Sequence, residues 1–216
     1  MKRLILVEGL PGTGKTTISK WLAEMLRASG EEVLLLNEGD ERIPLDFYNI
    51  PDDQYKTITD FVTIAYERLG NWVNVHLNSP DTVIIDSGYL QNPINELLFR
   101  NAKDDVIRDF INTITNMLRP LNPICVYLRR DGADQAIGFA RKVKGTGWSD
   151  RVDGLLKEHG GMDFFRHRFK LELELLANIE NITCRIHGDN WDNAKKTIKD
   201  AIKGEPRGNG KTPFTP

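Results

Sequence analysis

The sequence is poor in everything that would let a chain skip a conventional core. It has 2 cysteines in 216 residues, Cys125 and Cys184, with no CxxC spacing, so neither a disulfide framework nor a zinc knot is expected. No run of apolar residues approaches the roughly 18 that a membrane span requires. The N-terminal MKRLILV is cut by Glu8-Gly9, too early for a secretory leader. Neither sign of charge dominates: 29 Lys and Arg face 31 Asp and Glu, a net charge of −2. That balance gives no strong sign of nucleic-acid binding and argues against a protein held on anionic lipid by bulk charge. The four histidines, 76, 159, 167 and 187, lack metal-ligand spacing. There is no GxSxG elbow or Cys–His setting to support nucleophilic hydrolysis. These absences predict a cytoplasmic protein with no membrane association, and a homodimer is left open.

Five short β-rich segments stand out, at residues 4–7, 32–38, 82–87, 124–129 and 183–188. Each is nearly continuous in apolar residues rather than alternating, as expected of strands covered on both faces. Helical stripes lie between them. Ile18, Trp21, Leu22, Met25 and Leu26 precede a stop at Gly30; Ile58 to Val73 form a second stripe; Ile107 to Leu118 form a third, ended before Pro120. Phe165, Phe169, Leu173 and Leu176 mark a fourth, and a last helix is predicted over about 191–202. Strands alternating with helices predict a parallel sheet in a three-layer α/β/α sandwich. Residues 1–203 read as one domain. Residues 39–53 and 141–153 look irregular, as functional loops or lids do. Residues 204–216, rich in Gly and Pro, are predicted to be disordered.

The specific signal is Gly9-Leu10-Pro11-Gly12-Thr13-Gly14-Lys15-Thr16, which fits G-x-x-x-x-G-K-[ST]. It follows a predicted strand and opens a predicted helix, the setting its mechanism requires. Glycines let successive N–H groups turn inward on phosphate oxygens, and the helix start adds unpaired donors and partial positive charge. The nucleotide-binding set is therefore Gly9, Pro11, Gly12, Thr13, Gly14, Lys15, Thr16 and Thr17. Lys15 would reach the terminal phosphates of ATP, and the Thr16 hydroxyl would bind Mg²⁺. A second metal-binding candidate is Asp86, which ends the apolar run TVII; the alternative for it is a cap on the following turn. Glu38 and Glu8 also fall at strand ends, where open parallel sheets bind ligands. Glu38, with Asp40 as its competitor, is a site candidate there, the alternative being a solvated loop acid; Glu8 reads as a support of the loop.

GLPGTGKTT between the first strand and the first helix resembles the P-loop kinases, and the strand plan is similar to their nucleoside and nucleoside-monophosphate kinase branch. The resemblance implies a five-stranded sheet of order 2-3-1-4-5, Mg-ATP as phosphoryl donor and a small-molecule acceptor. It also implies a lid after the fourth strand, at about 141–153, where Arg141 and Arg151 would act on the transferred phosphoryl group. Lys142, Lys144, Arg129 and Arg130 are further cations in reach. Glu38 resembles the strand-end acid of these kinases that takes a proton from the acceptor or orients it, which makes it a candidate general base. Asp86 stands where related kinases carry an Asp-Arg or Glu-Arg pair, but Ser87-Gly88 replaces the arginine. Acceptor contacts are expected from Asp40, Arg42, Phe47, Tyr48, Arg68, Tyr89, Gln91 and Asn92, and adenine contacts from the 188–191 loop. The implied activity is phosphoryl transfer to a nucleoside, nucleotide or similar metabolite. The alternative is a nucleotide-driven ATPase or switch working on a protein or nucleic-acid partner.

Overall fold

The computed structural model describes residues 3–47, 50–51, 54–79 and 81–203. Five parallel strands, β1 (Arg3–Glu8), β2 (Val33–Leu36), β3 (Thr82–Asp86), β4 (Pro123–Arg129) and β5 (Glu180–Arg185), form one sheet in the order β2-β3-β1-β4-β5. The middle strand is sealed: Leu4 to Glu8 are buried without exception. Its side chains alternate between two cores. Leu4 and Leu6 join one, with Val83, Ile85, Cys125 and Tyr127; Ile5 and Val7 join the other, with Ile84, Val126 and Leu128. This explains the unbroken apolar runs, because both faces are covered by helices.

Helices α1 (Lys15–Ala28) and α8 (Asp192–Lys203) cover the second face. Helices α2 (Ile58–His76), α3 (Gln91–Phe99), α4 (Asp104–Leu118) and part of α7 (Met162–Leu175) cover the first. The start of α2 is fixed by a reciprocal cap: Asp60 N donates to Thr57 Oγ1 and Thr57 N to Asp60 Oδ2, both at 3.1 Å. A third cluster joins Leu10 of the phosphate loop to α5 (Ala133–Lys144), α6 (Thr146–Glu158) and Phe164 and Phe165 of α7.

The fold class, the strand order and four of the strand positions agree with expectation; β5 begins three residues earlier, at Glu180. Residues 141–153 are corrected from an irregular lid to the end of α5 and most of α6, broken only at Gly145. The inner stripe of α5 is Ala133, Ala136, Ile137 and Ala140, whose small side chains give little apolar signal but let the helix approach the phosphate loop. Helix α7 is rotated from its predicted stripe. Its inner face is Phe164, Phe165, Arg168, Leu171, Glu172 and Leu175, with Phe169 and Leu173 only half-buried. The predicted disordered tail, 204–216, lies outside the described residues.

Candidate active site

The loop from Gly9 to Gly14 turns between β1 and α1, and its carbonyls are taken up by the protein. Lys15 Nζ donates to Gly9 O at 2.9 Å and Leu10 O at 3.4 Å. Arg130 Nε donates to Gly12 O at 2.9 Å, and Trp191 Nε1 to Thr13 O at 3.2 Å. The N–H groups of Gly12 and Gly14 donate to no other described residue. They are left for an anion, as are the unpaired donors at the start of α1. Gly12 and Gly14 have φ of +85° and +92°, left-handed values that favour glycine. A Cβ on Gly12 would stand 2.3 Å from Ala136 O, and one on Gly14 would stand 2.1 Å from the Trp191 indole nitrogen. The loop is thus clamped by α5 on one side and by the chain after β5 on the other.

Arg130 is the second clamp. Its guanidinium lies 3.7 Å from the Phe139 ring centre and donates from Nη1 to Gly188 O at 2.9 Å, tying the phosphate loop to the 188–191 loop. That loop was expected to approach the adenine of ATP; in the fold, its Trp191 is packed against the phosphate loop itself.

Asp86 is wholly buried at the end of β3, and neither carboxylate oxygen has a hydrogen-bond partner of normal geometry. Burial raises its pKa above the ordinary value, an effect opposed by the nearby Thr16 hydroxyl, the Lys15 charge and Ser19. The next residue, Ser87, holds φ of +69°, a conformation that costs a non-glycine residue about 1 kcal/mol or more. A buried, unpartnered carboxylate beside a loop threonine fits a hard cation such as Mg²⁺, which prefers oxygen ligands.

Burial lowers the Lys15 pKa, against the favourable charges of Glu38 and Asp86. Glu8 is also wholly buried. It accepts from Tyr89 N at 2.7 Å and Gln91 N at 3.3 Å, holding the start of α3 in place. Desolvation, reinforced by the charge of Glu172, pushes its pKa up to about 7.

Beside the loop is a half-open cavity of about 160 Å³, lined by Pro11, Lys15, Glu38, Gln91, Asn95 and Arg168, and by Lys144 and Trp148 of the α5–α6 segment. Lys15, Glu38 and Gln91 therefore line one cavity. Pro11 and Lys144 are the other candidates that line it; the rest do not. Arg141 is ion-paired with Asp153 across the α5–α6 break, and Arg151 is exposed with no ion pair among the described residues. Asp40 and Arg42 pair with each other at 2.6 Å. Arg68 binds the carbonyls of Ile43, Pro44 and Asp46. Phe47 packs in the core against Tyr55 and Phe61, and Tyr48 lies outside the described residues. Tyr89 is buried with its hydroxyl against Thr115.

Two polar residues of the cavity, Arg168 and Asn95, were not among the candidates. Arg168 is 1% exposed, an extreme value for arginine, and donates through Nε to Glu172 Oε1 at 2.6 Å. Glu172 accepts in turn from the Tyr127 hydroxyl at 2.6 Å. In the sequence, Arg168 and Glu172 form an i,i+4 pair of the kind that usually sits on a solvated helix face. Only the packing of α7 shows that this pair points inward.

A family model described as "Chromatin associated protein KTI12" matches residues 2–111, just over half of the chain. The chain belongs to the KTI12 family. The matched segment contains the phosphate loop, Glu38, Asp86 and α3, all of which follow or end the first three strands at their carboxyl ends. No curated protein matches the sequence. Among solved structures, deoxyadenosine kinase from M. mycoides with bound dATP superposes with a TM-score of 0.56 at 17% identity, covering 93% of this chain and 100% of that one. Thymidylate kinase from Candida albicans gives 0.57 at 17% identity, covering 93% and 91%. At that identity the likeness shows the fold alone: the P-loop fold of the nucleotide kinases.

Proposed function

We propose that this KTI12-family protein is a Mg-ATP-dependent phosphotransferase acting on a small-molecule acceptor, a nucleoside, nucleotide or similar metabolite. The observation that carries this reading is one cavity shared by the loop lysine, Lys15, and an acid from another strand end, Glu38. A device for hydrolysis or switching needs the lysine but has no use for a walled space beside it. The substrates in the names of the two structural neighbours support the acceptor class.

In this reading, the free N–H groups of the loop and Lys15 bind the phosphates of ATP, and Thr16 and Asp86 hold Mg²⁺. The metal, when bound, supplies neutralisation of charge on the phosphate oxygens. An acceptor hydroxyl lies against Glu38, which takes its proton. The acceptor oxygen forms a bond to the γ-phosphorus, the bond from that phosphorus to the bridging oxygen breaks, and ADP leaves. Glu38 is oriented by Gln91, whose Nε2 donates to Oε1 at 2.9 Å, which leaves Oε2 for the acceptor. Lys144 and Trp148 would shield the site from water; Arg141 would join only after releasing Asp153.

The test is acceptor-dependent ADP release with Mg-ATP. It should appear with one member of a nucleoside and metabolite panel and vanish in Lys15→Ala, whose nucleotide affinity should also fall at least ~10-fold. ADP release at the same rate without any acceptor would replace this reading with the ATPase. A second reading, a nucleotide-driven switch on a protein or nucleic-acid partner, draws on the chromatin association in the family's name. It requires hydrolysis stimulated by such a partner and by no small molecule.

A further inference from the structure

The polar lining of the cavity has a direction. Arg168 is a donor only, with five N–H groups. Three are used inside the fold: Nε–H on Glu172, one Nη1–H on Asn95 Oδ1 at 3.1 Å, and one Nη2–H on Gln91 Oε1 at 3.3 Å. Because a guanidinium accepts nothing, both amides must turn oxygen toward it and their NH₂ groups away. The Gln91 NH₂ is taken by Glu38. The Asn95 NH₂ donates to no described residue, and one N–H on each Arg168 Nη is also left over. Gln91 therefore separates an end that offers only donors, Arg168 and Asn95, from an end that offers a free carboxylate oxygen, on Glu38. Apolar walls from Val152 and Phe165 lie alongside.

We propose that the Arg168–Asn95 end is a specificity site for a carbonyl oxygen, so that the acceptor is a small hydroxylated compound with an amide, lactam or similar oxo group remote from the hydroxyl it presents to Glu38. The hydroxyl half rests on the phosphotransferase reading; the carbonyl half rests on the donor arrangement alone. An uncharged oxygen is favoured over a carboxylate because the charge of Arg168 is already matched by Glu172 at 2.6 Å, and Glu8 is buried close enough to Glu172 to feel its charge. The other cations that line the cavity are Lys15, committed in this reading to the phosphates of ATP, and Lys144; an anion at the Arg168–Asn95 end would meet the acids Glu172 and Glu8 behind the guanidinium. A ligand without the oxygen would strand desolvated donors, the situation in which polar sites discriminate most strongly.

The test is a thermal-shift and calorimetric titration of the full chain with Mg-ADP, using matched hydroxylated probes. These are inosine against adenosine, in which a 6-amino group replaces the oxo group and N1 carries no proton, and para-hydroxymethylbenzamide against the corresponding benzoate and benzyl alcohol. At least one carbonyl probe should bind ~10-fold or more tightly than its carbonyl-free partner. Asn95→Asp keeps the oxygen that Arg168 uses but replaces the free NH₂ with a repelling oxygen. It should weaken that binding ~10-fold or more. Asn95→Ala, should the aspartate variant fail to fold, should show the same loss. Equal binding of carbonyl-free partners, preference for the benzoate, no effect of either Asn95 variant, or no binding of any probe would overturn the proposal. ADP release is read separately. A carbonyl probe that binds in an Asn95-dependent way but is never phosphorylated would remove the phosphotransferase reading and leave the carbonyl site standing.

Discussion

Glu8 links the pH of the solution to the stability of the site, and Glu8→Gln isolates the effect. The carboxyl is wholly buried and bonded to two backbone N–H groups at the start of α3. Its pKa rises from 4.5 to about 7. A carboxyl that holds its proton more tightly folded than unfolded favours the native state at low pH. The advantage is complete below the unfolded value, erodes as pH climbs from 4.5, and is gone above about 7. A displacement of this size corresponds to about 3 kcal/mol, at roughly 1.4 kcal/mol for each pH unit. Most of it, about 2 to 3 kcal/mol, falls between roughly pH 5 and pH 8. Glutamine is isosteric, can accept from the Tyr89 amide and does not titrate. The stability of the parent relative to Glu8→Gln should therefore fall by about 2 to 3 kcal/mol across that interval. In thermal melts the two curves should separate by roughly 4 to 12 °C for a domain of this size. Urea unfolding of both proteins at half-unit pH steps measures the difference directly, and all other titrating groups cancel to first order. A difference that stays constant within about 0.5 kcal/mol from pH 5 to pH 8 would show that Glu8 remains ionised throughout and that the two amides fully compensate its burial.

Gly14→Ala should lower Mg-ADP affinity at least ~10-fold by calorimetry, because the added Cβ would collide with Trp191 at 2.1 Å in a left-handed residue; unchanged affinity would mean that the clamp yields without moving the loop. Asp86→Asn should raise the melting temperature of the ligand-free protein, since it replaces a buried unpartnered carboxylate with a neutral amide. The same variant should increase the Mg²⁺ needed for half-maximal turnover, and parental values in both measurements would assign Asp86 to structure alone. Arg168→Met should cost about 3 to 5 kcal/mol in urea unfolding by leaving Glu172 buried without its cation, with partial recovery in Arg168→Met/Glu172→Gln. A cost below about 1 kcal/mol would show that the buried pair adds little to the stability of the fold.

The sequence alone carried the elements whose signal is local. The G-x-x-x-x-G-K-T loop is a contiguous run whose backbone freedom and cation are written into residue types. The sheet strands announced themselves because burial on both faces demands continuous apolar runs. Asp86 and Glu38 stand out in the sequence because acids that end such runs fall at the carboxyl ends of strands, where open parallel sheets bind ligands. Residues that act through distant partners were not. Arg130 ties Gly12 to Gly188 across more than a hundred residues, and no spacing rule links them. Ala133, Ala136 and Ala140 made α5 nearly invisible, since an inner face of small side chains carries little periodic hydrophobicity. Arg141 reads as a free cation in the sequence, and only the turn at Gly145 brings Asp153 beside it. Arg168 and Glu172 looked like a surface pair until α7 was docked with that face inward. Sequence decides which side chains a helix or strand presents. Which of them face a neighbour, and therefore what charge and hydrogen-bond direction a cavity acquires, is decided only when the elements pack.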